Sequence, residues 1–311
     1  MARARSAFDH ERLRAQLKAQ PDQADFTQYL EFYGLRSAAH HAAEAIPVSV
    51  RDVEHHIVLQ TFTPDRPQAW AFFHHGYYDH VGLFGHVFDY LLGHGVGIYA
   101  IDNLGHGLST GDRATIPSFD DYVEVIAAVD RHLGYRDMHF IGQSMGGALT
   151  LEYLQRHPER VTQELVLFAP LIRPYAWWIN RIYFNIAKRL IEQRPRTITS
   201  NASNAEFLHL QHHDPLQARV LPVQWVQAMV DWFEVFERYP ASSRQPKIIQ
   251  GHQDRTIDWR HSVKVLGARY PESSWLHIPE ASHHLSNESD HIRAQIFSWL
   301  DENCQWVEHT P

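Results

Sequence analysis

The sequence predicts an α/β fold with a mostly parallel central sheet, helices on both faces of that sheet and a helical cap insertion. Strand-like and helix-like segments alternate from residue 47 to 170, and the alternation resumes from 244 to 302. Such alternation is typical of a parallel sheet covered by helices. Between 171 and 240 it stops, and the segment is rich in aromatic residues. We therefore expect residues 47–170 and 241–311 to form one main domain and 171–240 to form the cap.

The first segment of the chain, residues 1–46, has a charged and helical pattern. Helices are expected from 11 to 20 and around 26–33, and Pro47 ends the pattern because a proline ring disrupts the interior of a helix. We therefore expect a helical N-terminal extension, which either braces the main domain or is loosely attached to it.

The main domain is expected to contain seven strands and five helices. The strands are predicted near residues 55–63, 69–74, 97–101, 137–142, 164–169, 247–250 and 274–278. The helices are predicted near residues 84–93, 118–133, 146–157, 258–268 and 289–301. Ligands in open α/β sheets bind outside the carboxyl ends of the strands, so residues just after these strands are candidates for a functional site.

The last helix of the cap is expected to have a wide apolar face. One helical stripe is Val223, Val226, Val230 and Phe233, and the next is Trp225, Met229, Trp232 and Phe236. An apolar face this wide must cover something large. We expect the second stripe to line a substrate pocket, with packing against the main domain as the alternative.

Composition excludes several classes of protein. A chain of 311 residues with 44% hydrophobic residues can bury a large core. Its net charge of −8 and its lack of a basic run give no indication of nucleic-acid binding. Cys304 is the only cysteine, so no intrachain disulfide can form. No apolar stretch resembles a signal peptide or approaches the roughly 18 residues of a membrane span, so we expect a cytoplasmic protein.

The most informative motif is Gly142-Gln143-Ser144-Met145-Gly146. It follows a short apolar run and precedes a helix-like stretch, which gives the order strand, sharp turn, helix. In this context the pattern G-x-S-x-G marks a nucleophile elbow, in which a serine is presented at the tip of the turn. The alternative is a glycine-rich turn that holds a serine by coincidence.

A serine hydroxyl needs a base, and the base needs an acid that orients it. In elbow architectures the acid and then the histidine follow the serine along the chain. Asp254 comes after the predicted strand at 247–250, and His283 and His284 come after the predicted strand at 274–278. The acid candidate is therefore Asp254, and one of the two histidines is the candidate base.

Together these segments resemble the monoacylglycerol lipase and lysophospholipase branch of the α/β-hydrolases, a group also placed with the S33 serine aminopeptidase-like hydrolases. The resemblance covers roughly residues 50–300 and is carried by Gly-Gln-Ser-Met-Gly-Gly at 142–147, by Asp102 to Gly111 and by Ala281 to Glu288. It implies the α/β-hydrolase fold. It also implies that His283 is the catalytic histidine and that His284 is only its neighbour.

Two backbone N–H groups are expected to stabilise the oxyanion. One belongs to Met145, the residue after the serine. His75-Gly76 resembles the family's His-Gly dipeptide, which implies that Tyr77 supplies the other. Tyr77 and Tyr78 stand where the family has smaller residues, and we expect their bulk to narrow the acyl side of the pocket. His74, His75 and His80 share this loop, but the lack of clustered carboxylates or cysteines argues against a metal site.

The loop from Asp102 to Gly111 also matches the family. We expect Asp102 and His106 to hold this loop by hydrogen bonds rather than to act on Ser144. Arg113 matches as well, and its simplest role is to brace the loop by pairing with a carboxylate.

The sequence therefore predicts a serine carboxylic-ester hydrolase that forms an acyl-enzyme and needs no cofactor. The resemblance implies a small-molecule substrate, a monoacylglycerol or a lysophospholipid, and leaves open a transient contact with a membrane surface. The arginines considered for a phosphate group are Arg173, Arg181 and Arg189. One alternative is an aminopeptidase, which needs an acidic cap residue such as Glu206 or Asp214 to hold an amine. The other is a catalytically silent binding protein.

Overall fold

The structure is a computed structural model that describes residues 8–20, 23–35, 37–196 and 200–307. Within these residues the main sheet has eight strands: β1 (His40–Val50), β2 (Val53–Thr63), β3 (Ala69–His74), β4 (Val96–Ile101), β5 (Met138–Gln143), β6 (Thr162–Phe168), β9 (Lys247–Gly251) and β10 (Ser274–Ile278). Their order across the sheet is β1-β2-β4-β3-β5-β6-β9-β10. A separate two-stranded sheet pairs β7 (Gln193–Pro195) with β8 (Val220–Pro222).

The sheet is mostly parallel, as the sequence predicts. Strand β2 runs antiparallel to both β1 and β4, and the pairs from β4 through β3, β5, β6 and β9 to β10 are all parallel. The helices of the main domain are α3 (Gly85–Gly93), α4 (Phe119–His132), α5 (Met145–Arg156), α9 (Trp259–Arg269) and α10 (Asp290–Asn303). Each predicted strand and helix of the main domain is present, and the α/β fold class is confirmed.

The N-terminal segment differs from the prediction. Helices α1 (His10–Ala19) and α2 (Thr27–Tyr33) lie in the extension, but residues 40–46 belong to β1 rather than to a helix. The prediction of a helical segment up to residue 46 is therefore wrong at its end. An eleven-residue antiparallel pairing with β2 overrides the helical preference of this alanine-rich stretch. Pro47 is tolerated because β1 is an edge strand.

The two N-terminal helices pack firmly on the main domain. Tyr29 of α2 is completely buried, and its hydroxyl accepts a hydrogen bond of 3.1 Å from the side-chain amide of Gln60 in β2. The ring of Phe8 packs against Tyr29, and Leu13 and Leu17 of α1 are buried as well. The sequence left open whether the extension braces the main domain or is loosely attached to it. These buried contacts show that it braces the main domain.

The cap region contains three helices, α6 (Trp177–Ala187), α7 (Ala205–His213) and α8 (Val223–Phe236). Helix α8 buries most of its apolar residues. Helix α6 instead leaves several large apolar side chains exposed, among them Trp178, Ile179 and Ile182. Across the described part of the chain, no helix combines the length and apolar character needed to span a bilayer.

Candidate active site

Ser144 lies at a sharp turn between β5 and α5. Its backbone has φ 53° and ψ −117°, a conformation that side-chain-bearing residues rarely adopt. Hydrogen bonds on both sides hold it: the Ser144 N–H donates to the carbonyl of Phe168 (2.9 Å), and its own carbonyl accepts from the Leu171 N–H (3.0 Å). The surrounding structure therefore fixes a strained turn that presents the serine side chain above the sheet.

The residue two places after the serine must be glycine because two backbones meet there. A Cβ atom at Gly146 would lie 2.0 Å from the carbonyl oxygen of His74 at the end of β3. Helix α5 therefore starts directly against the neighbouring strand, which any larger residue would prevent. This close approach accounts for the last glycine of the Gly-x-Ser-x-Gly motif.

His283 joins Ser144 to Asp254. Its Nε2 atom lies 2.9 Å from Ser144 Oγ, and its Nδ1 atom lies 2.6 Å from Asp254 Oδ2. The N–H groups of Thr256 and Ile257 donate to the other oxygen of Asp254 at 2.8 and 3.0 Å, so the carboxylate cannot swing away. All three side chains are buried. The three side chains thus have the geometry that a nucleophile, a base and an orienting acid require.

Electrostatics favour a histidine that readily takes a proton. Burial alone would lower the pKa of His283, but the charge and hydrogen bond of Asp254, together with the charge of Asp79, outweigh it and raise that pKa. The imidazole is therefore stabilised in its protonated form, the form that a general base has after it accepts a proton.

The two predicted oxyanion donors belong to chain segments that lie next to the serine. Met145 is the first residue of α5, so its N–H has no acceptor in a preceding helical turn. A Cβ at Gly76 would lie 3.3 Å from Ser144 Cβ, which brings the loop that contains Tyr77 against the serine. The Tyr77 ring stacks on Trp225 of the cap at 3.5 Å, and its hydroxyl donates to the carbonyl of Ala114 (2.7 Å). Tyr77 therefore anchors this loop to the cap.

The imidazole of His284 lies close to the carboxylate of Asp79. Its Nε2 atom lies 3.3 Å from Asp79 Oδ2, and both side chains are buried. Burial alone would raise the pKa of Asp79, but the charge and hydrogen bond of His284, with the charges of His75 and Arg196, lower it. The sequence motif gives no signal for this pair, because Asp79 lies far from His284 along the chain. The only sequence feature connected with this pair is that Asp79 lies near the His75-Gly76 dipeptide.

A cavity of about 460 Å³ opens above Ser144 beneath the cap. Much of its wall is apolar or aromatic: Leu171, Trp177, Phe184, Leu221, Val223, Trp225, Val226 and Met229. Tyr78 also lines it, and burial raises the pKa of this phenol to about 12. Of the residues predicted to bind substrate, Tyr78, Trp225 and Met229 therefore border the cavity.

Trp232 and Phe236 do not border this cavity, so their placement in the pocket wall is wrong. The Trp232 ring stacks on Phe119 of α4 at 5.2 Å, and its indole N–H donates to Glu152 Oε2 of α5 at 3.0 Å. Phe236 is completely buried beside Trp232. The apolar stripe of α8 is longer than the cavity, and its second half packs on the main domain.

The loop after β4 is held by the side chains that the sequence indicates. Asp102 accepts from the N–H groups of Val81 (2.8 Å) and Leu108 (2.7 Å), and His106 bonds the carbonyl of Leu104. Arg113 differs from the prediction. Its guanidinium donates to the carbonyls of Gly107 and Leu216 rather than pairing with a carboxylate. It thereby joins this loop to the cap.

The histidines near the site each have a structural partner. His74 Nδ1 lies 2.7 Å from the hydroxyl of Thr150, and His75 Nε2 accepts from the N–H of Asn103. His80 forms a buried ion pair of 2.7 Å with Asp214. Among the described residues, no three or more histidine, cysteine or acidic side chains converge as metal ligands.

The acidic cap residues considered for an aminopeptidase do not reach the cavity. Asp214 is buried and engaged by His80 and by the hydroxyl of Tyr33 (2.7 Å). Glu206 is exposed on α7 and is absent from the cavity wall. Asp79 is the one carboxylate in that wall among the described residues, and it faces His284.

The arginines near the cavity are not those considered from the sequence. Arg173 pairs with Asp258 at 2.8 Å, and neither it nor Arg181 or Arg189 lines the cavity. The wall instead contains Arg194, Arg196 and Arg255. Arg255 directly follows Asp254 in the chain, and that adjacency is the sequence signal that could have identified it.

Comparison with known proteins assigns the family. The family described as serine aminopeptidase, S33, matches residues 65–290. The monoacylglycerol lipase of Mycolicibacterium smegmatis is 26% identical over 262 residues, covering 78% of this chain and 92% of that protein. The mouse monoglyceride lipase is 25% identical over 259 residues, covering 78% and 83%.

Solved structures agree on the fold. A soluble variant of monoglyceride lipase from Saccharomyces cerevisiae, in complex with a substrate analog, superposes with a TM-score of 0.73 at 15% identity, covering 89% of this chain and 99% of that one. Paleococcus ferrophilus monoacylglycerol lipase gives a TM-score of 0.66 at 19% identity, covering 78% and 98%. The chain therefore has the α/β-hydrolase fold and belongs to the serine aminopeptidase S33 family, in the branch that resembles the monoacylglycerol lipases.

Proposed function

We propose that this protein is a serine carboxylic-ester hydrolase that cleaves single-chain acyl esters, of monoacylglycerol or lysophospholipid type, through an acyl-enzyme. The observation that carries the proposal is the hydrogen-bonded series from Ser144 through His283 to Asp254 at the floor of a largely apolar cavity. The likeness to monoacylglycerol lipases supports an ester as the substrate.

The proposed reaction uses these three side chains in turn. His283 takes the proton of the Ser144 hydroxyl as Oγ attacks the ester carbonyl, while Asp254 keeps the imidazole in the required tautomer. The N–H groups of Tyr77 and Met145 stabilise the negative oxygen of the tetrahedral intermediate. His283 then returns the proton to the leaving alcohol as the acyl C–O bond breaks. Water repeats the sequence on the acyl-enzyme and releases the acid, and neither metal nor cofactor takes part.

The apolar wall suits an acyl chain. Trp225 and Met229 of α8 border the cavity together with Trp177 and Phe184 of α6. Each methylene of a chain that leaves water for such a wall gains about 0.8 kcal/mol. Longer chains should therefore bind more tightly until the cavity of about 460 Å³ is filled.

Substrates of this kind collect in membranes and micelles, and the cap has a surface suited to them. On α6 and the turn after it, Trp178, Ile179 and Leu190 are 70–76% exposed, with Ile182 and Ile186 beside them. We name the exposed apolar residues of this segment, Trp178, Ile179, Ile182, Ile186 and Leu190, the α6 patch. Exposed Arg181, Lys188 and Arg189 accompany it. Tyr183 of the same helix lines the cavity, which supports transient contact with a lipid surface near the cavity mouth.

The principal alternative is an aminopeptidase of the same family. That activity requires a carboxylate that holds the free amine of the substrate. Asp214 and Glu206 lie away from the cavity, and Asp79 is occupied by His284. The cavity wall therefore favours an ester substrate whose alcohol portion is neutral or anionic. It disfavours a substrate that carries a cationic amine.

A substrate panel tests the proposal. Purified protein would be assayed with p-nitrophenyl esters from acetyl to dodecanoyl, with 1-lauroylglycerol and with aminoacyl anilides, each beside Ser144→Ala. We expect hydrolysis of the esters that rises with chain length and is lost in the variant. Turnover of the anilides without turnover of esters would favour the aminopeptidase. No turnover of any substrate would favour a binding protein.

A further inference from the structure

A second cavity, of about 430 Å³, lies beside His283, and none of the apolar cap residues that line the first cavity borders it. Its wall is polar throughout: Ser200, Asn201, Gln253, Arg255, Thr256, Ser282 and His283. Four of these residues, Asn201, Arg255, Thr256 and His283, also line the main cavity. The two cavities therefore share a polar wall at the edge of the candidate active site.

This shared wall has an uncompensated positive charge. Arg255 is exposed, and no hydrogen bond or ion pair joins its guanidinium to any described residue. Among the described residues that line the second cavity, none is acidic. The main cavity adds Arg194 and Arg196, against the one carboxylate of Asp79, which His284 faces. Positive charge thus exceeds negative charge around the polar part of the site.

The same wall has a polar atom without a partner. Asn201 Oδ1 is buried and accepts no hydrogen bond in the described structure. A buried acceptor left unsatisfied costs free energy, so a group that donates to it gains binding. An alcohol hydroxyl is such a donor, whereas an acyl chain is not.

The chemistry of ester cleavage places the alcohol on this side. His283 must deliver its proton to the leaving oxygen, so the alcohol portion of the substrate lies next to the imidazole. The acyl chain lies toward Trp225 and Met229, on the apolar wall. The polar wall with Arg255 and Asn201 therefore faces the alcohol portion.

We propose that Arg255 and Asn201 form a subsite for an alcohol that carries a phosphate group, so that single-chain acyl esters of glycerol phosphates are preferred over neutral monoacylglycerols. The inference rests on the proposed ester hydrolysis and names its substrate class. A guanidinium binds a phosphate through two parallel N–H bonds, and the free hydroxyl of the glycerol donates to Asn201 Oδ1. Arg255 takes no part in proton transfer, which stays with His283.

The test compares a matched pair of substrates, 1-lauroylglycerol and 1-lauroylglycerol-3-phosphate, both assayed below their aggregation concentrations. The readout is the ratio of kcat/KM for the phosphate ester to that for the neutral ester. We expect the wild-type ratio to exceed one and to fall about ten-fold in Arg255→Gln, because a hydrogen-bonded charge contact is worth roughly that factor. Arg255→Lys should give an intermediate ratio, since lysine keeps the charge but loses the two-pronged geometry.

Arg260→Gln is the matched control. It removes the same charge five residues away, where Arg260 lies over the ring of Trp259 and borders neither cavity. Its ratio should equal that of the wild type. A wild-type ratio of one or less, or an equal ratio in Arg255→Gln and the wild type, would overturn the inference. Neutral-ester hydrolysis that depends on Ser144 would still support the ester hydrolase, so the two proposals fail separately.

An inhibition assay with inorganic phosphate distinguishes a subsite for the phosphate group of a substrate from a binding site for the free anion. Up to the millimolar range, it should change neutral-ester hydrolysis equally in the wild type and Arg255→Gln. If it instead inhibits only the wild type while the substrate ratio stays at one, Arg255 recognises free phosphate. The assignment of a phosphate-bearing substrate would then be overturned.

Discussion

The indole of Trp225 in the cap stacks on the phenol ring of Tyr77 with centroids 3.5 Å apart and planes 12° from parallel. This contact joins the cap to the loop whose N–H is proposed to stabilise the oxyanion. It also gives the unusual bulk of Tyr77 a structural reason, because a smaller residue would remove the ring that stacks on this indole. The cap and the candidate oxyanion site are therefore physically linked.

Two substitutions in helix α8 should distinguish a residue that lines the pocket from a residue that packs in the core. Met229 borders the cavity and Trp232 packs on Phe119 and Glu152. Met229→Ala should flatten the rise of kcat/KM with acyl-chain length while leaving short esters nearly unaffected, because part of the apolar wall is lost. Measurement of kcat/KM for acetyl through dodecanoyl esters tests this.

Trp232→Ala should behave differently. It should lower the free energy of unfolding by about 3–5 kcal/mol, as for other large core truncations, and keep the chain-length slope among the molecules that remain folded. Denaturant titration provides the measurement. A flattened slope in Trp232→Ala with an unchanged slope in Met229→Ala would reverse the assignment of the two residues.

The adjacent histidines should differ sharply. His283→Ala should reduce kcat about as much as loss of the nucleophile, on the order of a millionfold, because the two residues act as a unit. His284→Ala should retain a substantial part of the activity, since His284 contacts Asp79 and not Ser144. Steady-state kinetics on one short ester compare them, with circular dichroism to verify folding. Equal losses would show that proximity to Asp79 matters as much as contact with the serine.

As the pH is lowered, kcat/KM should fall with a midpoint above 6.5, the ordinary pKa of histidine. The reason is that only neutral His283 can accept the serine proton, and the pKa of His283 is raised. The charge of Asp79 contributes to that increase. Asp79→Asn should therefore move the acid limb of kcat/KM to lower pH, and Glu206→Gln, the same change at an exposed site, should not. An acid limb that stays in place in Asp79→Asn would contradict this electrostatic account.

The α6 patch should bind lipid surfaces. Trp178→Ser with Ile182→Ser should weaken sedimentation with phosphatidylcholine vesicles that contain a fraction of anionic lipid, because two large exposed apolar side chains are lost. Hydrolysis of a monomeric short ester should be kept, since neither residue lines the cavity. Val53→Ser, at an exposed apolar residue in β2, is the control. Equal vesicle binding by both variants would remove the patch from the proposed membrane contact.

The sequence predicted the strands and helices of the main domain because local signals and tertiary structure agree there. A buried parallel strand such as β5 is an apolar run, and the turn at Ser144 requires the glycines that the motif shows. Strand β1 was not predicted because its alanines favour a helix. It is a strand because it pairs with β2, and the sequence shows no sign of that pairing.

The candidate site could be predicted in part for the same reason. Ser144, Asp254 and His283 each follow a strand, and parallel topology brings such positions together. The stripe of α8 could not show where the cavity ends, because Met229 and Trp232 have the same helical periodicity. Likewise, the contact between Asp79 and His284 depends on how two distant loops meet.

In the proposed reaction, Ser144 is the nucleophile that becomes acylated. The most direct test is intact-mass spectrometry after brief exposure of the folded protein to a fluorophosphonate probe, followed by peptide mapping. We expect a single adduct on the peptide that contains Ser144, formed by the wild type and absent from Ser144→Ala. Labelling of Ser144→Ala at the wild-type rate, or no adduct on the wild type, would contradict the account.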